Sequence, residues 1–387
     1  MAARKLRDGI FAVGAIDWDR RLFDELVPLP EGTSYNAYLV RGATHTALLD
    51  TVDPTMTGVL LANLEQLGVT RLDYVVAHHA EQDHSGSLPA VLARYPEARV
   101  VTNPKAKDFL NLLLDLPADR WLAVDDRETL DLGGKTLQFH YAPWVHWPET
   151  MFTYLPEDRT LFTCDFLGAH VATSELIAAD PRAYREAAKR YYAEIMMPFR
   201  PSLKSHLQRL AELEIDLLAP SHGPVYDRPE EIIAAYRDWA SDAVHNLAVV
   251  AYASMHGSTR RMIEHLADAL LSRGIAVELF DLARTDVGRL AMALVDAATV
   301  VLGSPTVLAG AHPLVAHAAY LVNALRPKTR FAAIVGSYAW GGKMVDQLTG
   351  LMPNLKAELL EPVVAKGRPM EAEFAALDRL ADALLER

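Results

Sequence analysis

Ala77-His78-His79-Ala80-Glu81-Gln82-Asp83-His84-Ser85-Gly86 is the stretch on which the reading of this chain turns. It follows Tyr74-Val75-Val76, an apolar run that predicts a buried strand over 73–77. Between His79 and His84 stand two imidazoles and two carboxylates. Burying that many polar groups at a strand end without partners costs free energy, and a metal ion is the simplest partner that takes both types. Alternation along an extended loop predicts His79, Glu81 and Asp83 on one side, with His84 turning inward at Ser85-Gly86. His78 falls on the opposite side and is expected to be structural.

Three more places deliver groups of the same kind. The loop Ala142-Pro143-Trp144-Val145-His146-Trp147-Pro148 holds one imidazole between prolines and tryptophans. A predicted hairpin, Met151–Leu155 with Thr160–Thr163, ends in Cys164-Asp165, and a strand over 215–219 runs into Pro220-Ser221-His222-Gly223-Pro224. Taken singly, each of these groups is a capping, turn or core residue; their recurrence at successive strand ends points to a metal. His79, Glu81, Asp83, His84, His146, Asp165 and His222 offer nitrogen and oxygen donors with no thiolate. They are too many for one tetrahedral ion and suit two ions sharing a carboxylate, with iron, manganese and zinc all compatible. His45, His140, His206, His245, His265, His312 and His317 lack such company and are expected on the surface or in the core.

Around this cluster the first part of the chain mixes strands and helices. Short strands and turns fill residues 1–50, helices are predicted over 56–67, 88–95 and 104–114, and Gly133-Gly134 marks a hairpin within 129–142. Residues 181–213 look helical, and a helix over 228–245 closes the unit. A different rhythm then begins. Strands over 247–253, 276–281, 298–302, 330–335 and 358–364 alternate with helices over 259–273, 287–295, 313–325, 343–352 and 370–385, the pattern of a doubly wound parallel sheet. The expected domains are therefore 1–246 and 247–387.

The second domain opens with a strand feeding Ser254-Met255-His256-Gly257-Ser258-Thr259 and then a helix. Free backbone N–H groups and hydroxyls at a helix N-terminus attract phosphate. No Walker lysine and no Gly-x-Gly-x-x-Gly accompany it, which argues against triphosphates and dinucleotides. Two further strand ends carry Pro305-Thr306-Val307-Leu308-Ala309-Gly310 and Ser337-Tyr338-Ala339-Trp340-Gly341-Gly342. Ligands of such sheets bind at the carboxyl ends of the strands, where Tyr338 or Trp340 is suited to cover a flat ring.

Composition narrows the classes. Apolar residues make up 51% and charged residues 23%, as in soluble globular proteins. A net charge of -12 argues against nucleic acid as a partner. Cys164 is the single cysteine, so neither an internal disulfide nor a Cys-x-x-Cys site is available. No signal-like or membrane-spanning apolar run occurs, and the expected compartment is the cytoplasm.

On these motifs, over essentially its full length, the chain resembles the flavodiiron proteins. The resemblance rests on His-x-Glu-x-Asp-His-Ser-Gly, His146 before Trp-Pro, Asp165 after Phe-Thr-Cys, and Ser-His-Gly-Pro, followed by the flavodoxin-like phosphate loop. It implies an N-terminal metallo-β-lactamase-like αββα sandwich and a C-terminal flavodoxin-like sheet of order 2-1-3-4-5. Ordinary members of that superfamily carry His-x-His-x-Asp-His and bind zinc; Glu81 stands at the second histidine here and favours a harder, more oxidisable ion. The resemblance further implies one iron on His79, Glu81 and His146, a second on Asp83, His84 and His222, and Asp165 as the bridge. FMN is implied in the second domain, with His256 where flavodoxins usually carry threonine. The implied activity is reduction of O2 to water, of NO to N2O, or both. Electrons would come from a rubredoxin-like protein or a reduced deazaflavin. A head-to-tail homodimer, or a dimer of such dimers, would bring the FMN of one protomer to the metals of the other. His170 and Trp147 are expected beside the metals. The main rival is a zinc metallo-hydrolase with an attached flavodoxin-like module, which Glu81 and the complete second ligand set oppose.

Overall fold

The apolar runs of the first 240 residues assemble into two facing sheets. The computed structural model describes residues 2–385. One sheet takes strands 4–7, 10–12, 38–41, 46–49, 74–76, 99–102 and 121–123 in that order; the other takes 129–131, 136–141, 151–155, 160–164 and 217–220. Ile10, Val40, Leu49, Val76 and Val101 from the first sheet meet Leu137, Phe139, Met151 and Phe162 from the second in one buried cluster. The opposite face of the first sheet is covered by Leu60 and Leu64 of helix Thr57–Gln66 and Val91 of helix Leu88–Arg94. Helices Arg200–Leu210 and Pro229–Ala240 cover the second, where His206 meets Phe152 and Tyr236 meets Phe166. This is the expected αββα sandwich. Strand 74–76 pairs in parallel with both neighbours, and 160–164 pairs in parallel with 217–220. Parallel pairing sends the carboxyl ends of partnered strands the same way, so each pair delivers its terminal polar groups at one edge.

The second unit is a parallel sheet in the strand order 276–281, 245–252, 297–307, 331–338, 358–359, which is 2-1-3-4-5. Helices lie on both faces. Val249, Val300 and Leu302 pack against helices 287–294 and 313–325, while Val250, Val301 and Val335 pack against helices 258–272 and 371–385. By packing, residues through Tyr192 with Phe199–Ala240 form one unit, and Ala193–Pro198 with the residues from Ser241 form the other.

Several local expectations need correction. The predicted helix 228–245 stops at Ala240, and His245 already begins a strand. The segment 181–213 is an α-helix at Arg185–Tyr191 and again at Arg200–Leu210, separated by a π-turn and a 3-10 turn. Pro198 and Pro201 lack amide donors there, so a continuous ladder cannot form. Pro362 likewise splits the last strand into Glu358–Leu359 and Val363–Lys366. The third strand runs on to Val307 and turns back at Gly310–Ala311. Leu308 and Ala309 occupy that turn with φ of +47° and +64°.

Candidate metal centre

The opening stretch does not run extended. Glu81 is the extended residue (φ −59°, ψ 143°) that precedes a helical turn, Gln82–Ser85, and this turn carries Asp83 and His84. All seven predicted ligands nevertheless converge, because the turn swings Asp83 and His84 to a second focus instead of the first. His79 Nε2 and His146 Nε2 stand 3.1 and 3.0 Å from Glu81 Oε2, and 3.5 and 3.3 Å from Asp165 Oδ2. His84 Nε2 and His222 Nε2 stand 3.0 and 3.2 Å from Asp165 Oδ1, and 3.3 and 3.2 Å from the Asp83 oxygens. Asp165 thus turns one oxygen to each group.

The donor set fits two cations. Both oxygens of Asp83, both of Asp165 and His84 Nε2 are buried without a hydrogen bond, although imidazole nitrogens lie within 3.5 Å of them. Buried carboxylate oxygens left without a hydrogen bond favour a cation as their partner. His79, Glu81, His146 and Asp165 form one candidate set; Asp83, His84 and His222 form another.

Metal-free, the cluster is held by its own charges. Burial alone would lower both imidazoles, but Asp165, with Glu81 at His146 and Asp83 at His222, lifts His146 to about 9 and His222 to about 10. Burial opposes ionisation of Asp165, yet the surrounding histidines keep its carboxyl well below the usual range. Cys164 (φ +51°) and Leu167 (φ +68°) flank Asp165 in the left-handed region, a strained turn that aims its carboxylate inward.

A supporting layer fixes the rings. Glu149 Oε1 accepts from His79 Nδ1 at 2.7 Å and from the Ala80 N–H at 3.0 Å. His222 Nδ1 donates to the Ser34 carbonyl at 2.6 Å. Each bond uses the outer nitrogen, leaving Nε2 for the site. Asp50, His84 and Cys164 bring a carboxylate oxygen, a ring nitrogen and the thiol within 4.8 Å of one another. Asp50 also accepts from the His78 N–H at 2.8 Å and pairs with His78 Nδ1 at 2.7 Å. His78 Nε2 meets Thr153 Oγ1 at 2.6 Å, so His78 is the structural residue expected.

His170 is not in either donor set. Its Nδ1 bonds Thr33 Oγ1 at 2.8 Å, and its Nε2 is buried with no hydrogen-bond partner among the described residues. Its ring lies 4.6 Å from His222, 4.8 Å from Tyr191 and 5.0 Å from Phe23. Burial, then the His222 charge, push it well below the ordinary imidazole value, so it is neutral. Trp147 packs edge-on against His79 at 4.9 Å. Sequence reasoning missed Glu149, Ser34, Tyr191 and Asp24. Burial and then the Asp165 charge push the Tyr191 phenol far up. Burial and then Glu81 and Asp83 raise Asp24, which marks its approach to the cluster. Only Glu149 had a local signal, a carboxylate directly after His146-Trp147-Pro148 in the same loop.

In the second unit the predicted loops line two cavities at the strand ends. One, of about 150 Å³, is walled by Ser254, Met255, His256, Ser258, Thr259, Pro305, Thr306, Ser337, Tyr338 and Ala339. The other, of about 380 Å³, is walled by Thr306, Tyr338, Gly341, Gly342, Lys343 and Asp346. Gly257 (φ +89°) makes the turn into the helix. Val307, Leu308, Ala309, Gly310 and Trp340 line neither; Leu308 is 94% and Trp340 79% exposed. A phosphate cradle beside a cleft fits a flavin mononucleotide.

Comparison with known proteins agrees with both halves. Residues 33–223 match the ODP family beta lactamase model, and residues 250–377 match the flavodoxin model. The chain is 36% identical to a nitric oxide reductase of Moorella thermoacetica over 92% of this chain and 90% of that one. It is 34% identical to a coenzyme F420H(2) oxidase of Methanothermobacter marburgensis, with the same coverage. The rubredoxin oxygen:oxidoreductase structure from Desulfovibrio gigas superposes with a TM-score of 0.94 at 29% identity, covering 99% of this chain and 98% of that one. The fold and site define a metallo-β-lactamase-like domain joined to a flavodoxin-like domain. The chain belongs to the flavodiiron proteins, oxidoreductases that carry a di-iron site and FMN.

Proposed function

We propose that this protein reduces O2 to water, NO to N2O, or both, at a di-iron centre supplied with electrons through FMN. The observation that carries this is Asp165, whose two oxygens face two separate donor sets. With Glu81 in place of a neutral imidazole, the set favours iron over zinc. His79, Glu81 and His146 would hold one iron, Asp83, His84 and His222 the other, and Asp165 both. When bound, the irons supply the electrons for reduction of a diatomic molecule, and FMN replenishes them singly.

The protein's own groups do the rest. Glu149 and Ser34 hold His79 and His222 in the tautomer that presents Nε2. Neutral His170 shares a hydrogen bond with Thr33 at Nδ1, which leaves its buried Nε2 to meet a small molecule beside the centre. In the second unit, Ser254–Thr259 would take the phosphate and the 305–310 and 337–342 loops the ring.

We read the protein as cytoplasmic, since its one thiol is unpaired and buried. Among the described residues, no helix is long and apolar enough to cross a membrane. The working domain boundary is 246/247. The electron donor is a separate rubredoxin-like protein or a reduced deazaflavin. The active form is a head-to-tail homodimer or a dimer of such dimers. Supporting this, large apolar residues stand exposed near each site: Leu22, Leu26 and Trp144 in the first unit, and Met255, Leu308 and Trp340 in the second.

The test loads the protein with iron and FMN, supplies an artificial reductant and follows O2 and NO at electrodes. Sustained consumption of either gas is expected. A protein that holds only zinc, hydrolyses an ester or thioester and consumes neither gas would overturn the assignment. Sedimentation alongside activity tests the dimer, which a fully active monomer would refute.

A further inference from the structure

We infer that His256 is the cationic member of the cradle that holds the FMN phosphate, so that FMN binds together with a proton. This rests on the placement of FMN proposed above. The cradle is otherwise neutral. Its aliphatic hydroxyls come from Ser254, Ser258, Thr259, Thr306 and Ser337, and its titratable lining groups are His256 and Tyr338. Among the described residues, no carboxylate lines it.

The hydroxyls are already partly engaged. Ser254 Oγ accepts from the Arg260 N–H at 3.2 Å, and Thr259 Oγ1 and Ser337 Oγ share a hydrogen bond at 3.0 Å. They can still donate outward, but they bring no charge. The helix Ser258–Ser272 begins at Gly257 with no side-chain cap, so its first N–H groups add only a partial charge.

Among the described residues no lysine or arginine lines this cavity; Lys343 and Asp346 line the adjoining one. Arg260, one turn along the helix, is tied to Asp281 at 3.0 Å. The loops at Pro305–Thr306 and Ser337–Ala339 carry no charged side chain. From the fifth strand only Gly367 reaches the wall, and its neighbours Lys366 and Arg368 are exposed. A phosphate monoester carries close to two negative charges near neutral pH, and charge-assisted hydrogen bonds to it are the strong ones. His256 is exposed at the wall of the cradle, where an imidazolium would give the phosphate a charge-assisted hydrogen bond. Binding of the dianion to an imidazolium weakens as pH rises from about 6 to about 8.

The experiment titrates FMN into flavin-free protein by calorimetry, in buffers of different ionisation enthalpy. Net proton uptake is expected, with FMN held at least about fivefold more tightly near pH 6 than near pH 8. Riboflavin, which lacks the phosphate, should bind without uptake. His256→Gln and His256→Thr should still bind FMN and melt at the parent temperature, but lose the uptake and the pH dependence. FMN binding without uptake, or uptake that persists in His256→Gln, overturns the inference, the latter assigning the proton to the phosphate itself. Failure to bind FMN at any pH would instead overturn the flavin reading on which the inference rests.

Discussion

Replacing Glu149 should separate the centre's two metal positions. Glu149 is 2% exposed, and one of its oxygens accepts from both His79 Nδ1 and the Ala80 N–H. Glu149→Gln retains an acceptor of the same shape but removes the charge. A hydrogen bond to a charged group contributes about 1.5–3 kcal/mol against about 0.5–1.5 for a neutral one, so the change is worth roughly 1–1.5 kcal/mol. At about 1.4 kcal/mol per tenfold, iron on His79 should be held about tenfold more weakly. That matches the low end of the roughly 10- to 100-fold effect of removing an outer partner of a metal-bound histidine. Glu149→Ala goes further, leaving two buried N–H groups unpaired at about 1–3 kcal/mol each. The assay is anaerobic chelator competition, with iron stoichiometry and a thermal melt for each variant. Glu149→Gln should keep the fold and lose affinity at one position. Glu149→Ala should lose that iron while the metal on Asp83, His84 and His222 remains. If both variants retain both irons at the parent affinity, Glu149 does not support the centre as argued.

Other outcomes follow from the same geometry. Because His146 and His222 stand at about 9 and about 10 without metal, iron binding at neutral pH must displace protons. A pH-stat should record that release, and iron affinity should climb with pH up to about 10. The raised imidazoles stabilise the metal-free fold below the unfolded histidine value of about 6.5. That stabilisation is lost progressively as pH rises from about 6.5 through about 9 to 10, so metal-free melting temperatures should fall over that whole window while iron-loaded ones hold. Thr153→Val removes the partner of buried His78 Nε2 and should cost about 1–3 kcal/mol in chemical denaturation. Gly223, beside His222, has φ +80°, and an added Cβ would meet the Ala169 carbonyl at 2.8 Å. Gly223→Ala should therefore strain the backbone by about 1–3 kcal/mol and weaken the iron on His222, read by iron stoichiometry.

The sequence alone determined the candidate donors, their order along the chain and the division into two folding rhythms. Strand ends are short-range features: an apolar run followed by His, Asp or Glu announces itself within ten residues, as at Val76–His84 and Ala219–His222. The alternation of strand and helix after residue 246 likewise needed nothing distant. Local conformation within the motif was harder. Period-2 alternation put Asp83 with His79, whereas a single helical turn sends Asp83 and His84 to the other donor set.

Only the tertiary structure decided which oxygen of Asp165 faces which histidines, and which residues hold those histidines in place. Glu149 reaches His79 across 70 residues, and Ser34 reaches His222 across 188. Tyr191 lies in a helix whose sequence carries no sign that its phenol feels Asp165. These contacts arise because two sheets pack face to face and parallel strands end at common edges. Periodicity reports which face of an element is apolar, but not which polar groups from remote elements will share one buried volume.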